Sequence, residues 1–187
     1  MKHLFVLAAL AVSFTTGAEA PKASQASAYA GQEARDIKAM SPEEVQSYLS
    51  GKGMGLAKAA ELNGYPGPSH VLALASQLNL TPEQKKLTEA LFHSMEEKAV
   101  RLGAPLVEEE RTLDRSFASK AITPEALASS LARIGELQAK VREAHLEAHL
   151  AQVRILTEEQ VALYMQMRGY ASNGSKADHE HHHHTGS

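Results

Sequence analysis

Cysteine is absent from this chain, and so is tryptophan. Without thiols there is no disulfide framework, no thiolate nucleophile and no zinc–thiolate site. Aromatic residues are scarce, at 5%. The core must therefore be built from Leu, Ala, Val, Ile and Met, which suits thin helical packing. Neither sign of charge dominates. The formal net charge is −3 over 187 residues, and removing residues 1–20 leaves it at −3, because Lys2 and Glu19 go together. That balance points away from nucleic acid, whose partners carry a basic excess. Long apolar runs are missing too. Leu4–Val12 is too short to span a bilayer, so no stable membrane insertion is expected. No Gly-rich phosphate loop follows a strand, and no Ser/His/Asp arrangement is suggested.

What is present begins with a leader. Lys2 and His3, the apolar run and Ala18-Glu19-Ala20 have the order of a secretory signal peptide with its cleavage site. The mature protein is expected in the periplasm, cut near Ala20. Residues 21–40, rich in Ala, Ser and Gln, read as a disordered arm. Residues 41–62 read as short N-terminal helices. Ser41-Pro42-Glu43-Glu44 opens the first, which should run to about Leu49 before Gly51, Gly53 and Gly55. Residues 63–68 are a turn cluster, after which Ser69 is expected to cap a helix carrying His70, Val71, Leu74, Ala75 and Leu78.

Two stretches then stand out: Leu80-Thr81-Pro82-Glu83-Gln84 and Leu156-Thr157-Glu158-Glu159-Gln160. Each reads Leu-Thr-x-x-Gln. The Thr hydroxyl can cap a helix, and the Gln three residues on can reach back to the Thr N–H. Thr81 with Gln84, and Thr157 with Gln160, are thus structural capping pairs. Behind the first, Leu87, Leu91, Met95, Ala99, Leu102, Leu106, Leu113 and Phe117 form one helical seam. It keeps its phase across Gly103 and Pro105, which favours one kinked helix over two. After a loop at Ser119–Ile122, Thr123-Pro124-Glu125 opens a third helix of the body. Its seam, Leu127, Leu131, Ile134, Leu137, Val141, Ala144, Ala148, Ala151 and Ile155, is close to a heptad and should pack antiparallel on the previous helix. The second Leu-Thr-x-x-Gln starts a final helix ending near Arg168 and Gly169. The fold class is all-α: a kinked antiparallel helical hairpin domain over 63–170 with short flanking helices, and a disordered His-rich tail at 171–187.

At ~100° per residue, Leu146, Leu150 and Val153 fall outside the third helix's seam as a second apolar stripe. A two-helix hairpin has little to cover it with. A homodimer, an exposed binding surface and burial under the N-terminal helices all remain open.

The leader, the all-helical body and the two Leu-Thr-x-x-Gln motifs resemble the Spy/CpxP family of periplasmic stress chaperones and its periplasmic heavy-metal resistance and sensor relatives. The similarity extends from about Tyr65 to Tyr170. It implies a bent hairpin that dimerises into a cradle. For the chaperone branch it implies ATP-independent binding of unfolded or misfolded envelope proteins, for which Leu146, Leu150 and Val153 would be the client-binding residues. For the metal branch it implies transition-metal binding and stress sensing, with a sensor-kinase or anti-sigma-type partner. Neither branch is an enzyme, and no cofactor is required.

Two histidine groups bear on the metal branch. His145 and His149 lie at i and i+4, a spacing that can chelate a divalent ion. Glu147 points away from both, so this is not the zinc-protease pattern. A third ligand would have to come from His93, Glu96, Glu97 or a dimer mate. The alternative is two half-exposed polar residues at a helix edge. In the tail, His179, His181, His182, His183 and His184 are local and unorganised, able to hold Zn, Ni or Cu loosely. The alternative there is an expression tag.

Overall fold

The computed structural model describes residues 27–170. The expected signal peptide, residues 21–26 of the expected arm and the His-rich tail lie outside them. The chain divides after Glu33. Before that point, residues 27–33 form short turns of their own. The helical body follows. Among the described residues it has six α-helices and no strand: α1 (Pro42–Leu49), α2 (Lys58–Glu61), α3 (Pro68–Ala73), α4 (Pro82–Ala118), α5 (Pro124–Gln152) and α6 (Glu158–Met167). None is long and apolar enough to cross a membrane.

The helices start where the capping residues stand. Ser41, Thr81 and Thr157 each close a full box with the residue at N3, Glu44, Gln84 and Gln160 respectively. Thr123 accepts from the Ala126 N–H at 3.2 Å, but Ala126 cannot answer, so α5 has half a box. α3 departs from expectation. Its cap is Gly67, not Ser69, with Pro68 at the first helical position and no side-chain cap. It ends at Ala73, and Leu74–Leu78 continue as turns.

α4 runs unbroken through Pro105. Proline removes one N–H and strands the carbonyl four residues back, that of Arg101. Both Pro105 and Arg101 are exposed, so water can take the carbonyl. α4 and α5 then pair antiparallel. The cross-helix partners Glu109–Arg133, Lys98–Glu147 and Thr88–Gln152 run in opposite directions along the two helices.

Three apolar clusters hold the body. Leu106, Ile134 and Val141 fill the middle of the hairpin. Val71, Leu78, Leu156 and Tyr164 close its capped end. Ile37, Met40 and Val107 lie on another face of α4, with Val45 and Tyr48 beside them. This last cluster corrects the end of the expected arm, at residues 37–40. Ile37 is 2% exposed and Met40 7%, so these two side chains at its end are packed. Lys38 fixes it further, since its backbone N–H and ammonium both donate to the Asp114 carboxylate, at 3.1 and 3.0 Å. The predicted seams hold in their middles and fail at their ends. Leu87, Phe117 and Leu131 are exposed.

Candidate functional site

The buried arc of α5 is wider than the predicted seam. Besides Ile134, Val141, Ala144 and Ala148 it takes in His145, His149 and Gln152. Elements from the N-terminal side cover this added part. Gly53 lies beside the His145 ring; a methyl on it would stand 3.6 Å from His145 Nδ1. Gly67 presses on His149 so closely that a Cβ there would sit 2.8 Å from Cε1. Only glycine fits at that point, which fixes the Pro66-Gly67-Pro68 turn against α5. The two histidines are thus not at a half-exposed edge. They are 5% and 9% exposed.

A buried polar cluster locks the covering segment down. His149 Nδ1 donates to the Tyr65 carbonyl at 2.7 Å, which leaves Nε2 as the ring nitrogen free of a hydrogen bond. Glu61, itself 8% exposed, accepts from the Gly67 N–H at 3.2 Å and from the Tyr164 hydroxyl. Arg168 approaches the same carboxylate, Nε to Oε1 at 3.5 Å. One acid of α2 therefore ties together the α2–α3 turn, α6 and the turn after α6. Burial and the neighbouring Glu61 carboxylate push the Tyr164 phenol far above its ordinary range, so it stays a donor. Burial, with His149 adding to it, holds His145 below the usual histidine value. Partial burial and then Arg168 do the same to His70. Around neutral pH these two rings are uncharged.

His70, His145 and His149 line one cavity of about 710 Å³ between the Ser50–Lys58 segment, α3, α4 and α5. His145 Nε2 is buried with no hydrogen-bond partner. Of the third ligands considered from the sequence, Glu96 also lines this cavity. His93 and Glu97 face outward and pair with Glu96 and Arg101, at 3.9 and 3.7 Å. Among the described residues, no three His, Asp or Glu side chains are grouped to hold a metal ion. Glu147 points away from both rings and reaches Lys98 at 2.6 Å.

The client-binding candidates lie on the flank of α5 next to this cluster. Leu150 is 49% exposed, and Leu146 and Val153 are partly buried. The N-terminal elements cover the histidine side and leave Leu150 open.

The two Leu-Thr-x-x-Gln motifs do more than start helices. Gln84 and Gln160 face each other and pair reciprocally, Nε2 to Oε1 at 2.8 Å one way and 3.0 Å the other. Each carboxamide oxygen also accepts from its own Thr N–H, at 3.0 and 2.9 Å. Each amide nitrogen donates across to the opposite strand of chain: Gln84 to the Ile155 carbonyl at 2.9 Å, Gln160 to the Leu78 carbonyl at 3.1 Å. The arrangement is nearly symmetric. Leu156 is buried in the adjoining apolar cluster, and Leu80 packs against it. Every named position of the motif therefore has a task. Leu fills the core, Thr caps and Gln clasps the other motif. One turn further, Thr88 donates to the Gln84 carbonyl at 2.8 Å and accepts from Gln152 at 3.1 Å.

Sequence reasoning missed Glu61, Tyr164 and Arg168 as a cluster. Glu61 sits in Lys58-Ala59-Ala60-Glu61, which looks like any exposed helix, and its partners stand far along the chain.

An all-helical hairpin joined by paired Leu-Thr-x-x-Gln caps defines a class of small helical protein. The family comparison is specific. The model of the LTXXQ motif family matches residues 69–167, more than half of the chain. The protein belongs to this family of Spy/CpxP-like periplasmic proteins, which is not known as enzymatic. No curated protein and no solved structure matches the chain.

Proposed function

We propose that this is a periplasmic stress protein that holds unfolded or misfolded envelope proteins without ATP, using the outer stripe of α5. The observation that carries it is Leu150. A leucine 49% exposed near the C-terminal end of a long helix, with the partly buried Leu146 and Val153 beside it, is apolar surface that the described chain leaves uncovered. The flanking charges Glu143, Glu147 and Arg154 keep such a stripe soluble and its contacts weak. Family membership supports the location and class. A homodimer would set two stripes on one cradle, and a sensor-kinase or anti-sigma-type partner would read their occupancy. The test is suppression of aggregation of a denatured model protein by the mature chain. Suppression is expected at low molar excess, and Leu150→Lys should weaken it roughly three- to tenfold, as expected from losing about half the burial energy of a leucine. No suppression at several-fold excess would sink the reading.

A second reading, binding of Zn, Ni or Cu, draws on two nitrogens. His149 Nε2 is left free of a hydrogen bond when Nδ1 bonds Tyr65, and His145 Nε2 has no partner. A third ligand would come from His179–His184 of the tail or from a second copy. Calorimetric titration of the mature chain with and without residues 171–187 separates the sites. Binding that survives the deletion and disappears in His145→Ala belongs to α5; binding lost with the tail belongs to the tail alone.

A further inference from the structure

The cavity beside His145 has a pattern that the α5 stripe does not use and that extends beyond its histidines. One wall is apolar and adaptable, made by Met54, Phe92, Met95 and Ala148. Lys52, Lys58 and Arg168 stand around it. Among the described residues, Lys52 and Lys58 take part in none of the ion pairs, which involve other lysines. Both are exposed. The acids on the lining do not cancel them. Glu61 is already held by the Gly67 N–H, the Tyr164 hydroxyl and the Arg168 guanidinium. Glu96 lies against Gly51 and His93. His145, 5% exposed, lines the same wall with its Nε2 unpartnered. An unpaired buried nitrogen, an apolar wall and unneutralised cations together suit a ligand with two chemically different ends. The volume, about 710 Å³, is that of a small-molecule site.

We propose that this cavity binds a carboxylate carried on a compact apolar body, such as an arylpropionate or the C-terminal residue of a peptide ending in Phe or Leu. The apolar body lies on Met54, Phe92 and Met95. The carboxylate meets Lys52 and Lys58, where charge-assisted hydrogen bonds are the strong ones. The site is separate from the stripe, since Leu146, Leu150 and Val153 do not line it.

The experiment is calorimetry on the mature chain with a chelator present, using 3-phenylpropionate, its uncharged amide and acetate. Phenylpropionate should bind, with the amide about tenfold weaker or more and acetate undetectable, because both ends are needed. Lys52→Ala/Lys58→Ala, two exposed positions that leave the fold intact, should weaken phenylpropionate about tenfold at unchanged melting temperature. Leu150→Lys should leave it unaffected, which keeps this test independent of client binding. Peptides ending in Phe, with the carboxylate free or amidated, separate the sources. Binding of the free-ended peptide as tight as phenylpropionate assigns the site to chain ends; binding of phenylpropionate alone assigns it to small organic acids. No binding of either, equal binding of acid and amide, or a lysine variant indistinguishable from the parent overturns the proposal.

Discussion

Single residues decide how closely the elements of this protein approach. Gly103 is the sharpest case. It lies on α4 where the end of α1 crosses, and a Cβ there would come 2.3 Å from the Tyr48 carbonyl oxygen and 2.9 Å from its carbon. The obstacle is backbone, not a side chain that can swing away. Gly103→Ala is therefore expected to lower stability by about 1–3 kcal/mol in urea unfolding, despite the better helix propensity of alanine. Gly135, with open space around its Cβ position, is the control. There Gly135→Ala should raise stability by ~0.5–1 kcal/mol. From the sequence alone, Gly103 looked like an interruption of a seam and nothing in its neighbours marked Gly135 as different. The distinction needs the path of α1. The same holds for Glu61, which has a surface residue's sequence context but a buried position, with Tyr164, Gly67 and Arg168 around it.

Among the elements, the capped starts of α4 and α6 behave as one unit. Each motif was legible as a helix start, because capping is local and its partners lie three residues apart. Their union was not, because Gln84 and Gln160 are brought together only by the closing of the hairpin. Each glutamine serves its own cap and the other motif at once. Replacing either should free both groups that it holds, so a second replacement removes little more. Gln84→Ala and Gln160→Ala should each cost about 1–3 kcal/mol. The double variant should fall short of additivity by roughly 0.5–3 kcal/mol in a double-mutant cycle. Strict additivity would mean that the two caps act alone. α5 gives the complementary lesson. Its heptad-like seam correctly placed Ile134, Val141, Ala144 and Ala148 inside, but periodicity cannot say which neighbour covers the flank. The segment at Gly53 and the turn at Pro66–Pro68 cover His145 and His149 respectively, and leave Leu150 open.

For the helical body as a whole, the attachment of its first segment is a measurable property. Ile37 and Met40 dock beside α4, and Lys38 binds Asp114. Burial pushes the Asp114 carboxyl up, but hydrogen bonds from the Lys38 backbone and ammonium, with the ammonium charge, outweigh it and hold the group below its ordinary value of 3.8. A carboxyl depressed in the folded state stabilises the fold above its unfolded value and loses that contribution as pH falls through the folded one. Amide protection at residues 37–40 should therefore be full above pH ~4 and fall as the pH drops below that. In Asp114→Asn it should start lower and lose this pH dependence. The sequence by itself determined the helical class, five of the six helix starts within a residue or two, the continuity of α4 and the family. These follow from capping, periodicity and motif, which act over a few residues. Only the tertiary structure decided that the two glutamines clasp, that Glu61 and the two α5 histidines are buried, and which side of α5 stays exposed. Those outcomes depend on contacts between residues tens of positions apart, where the chain's own local chemistry carries no signal.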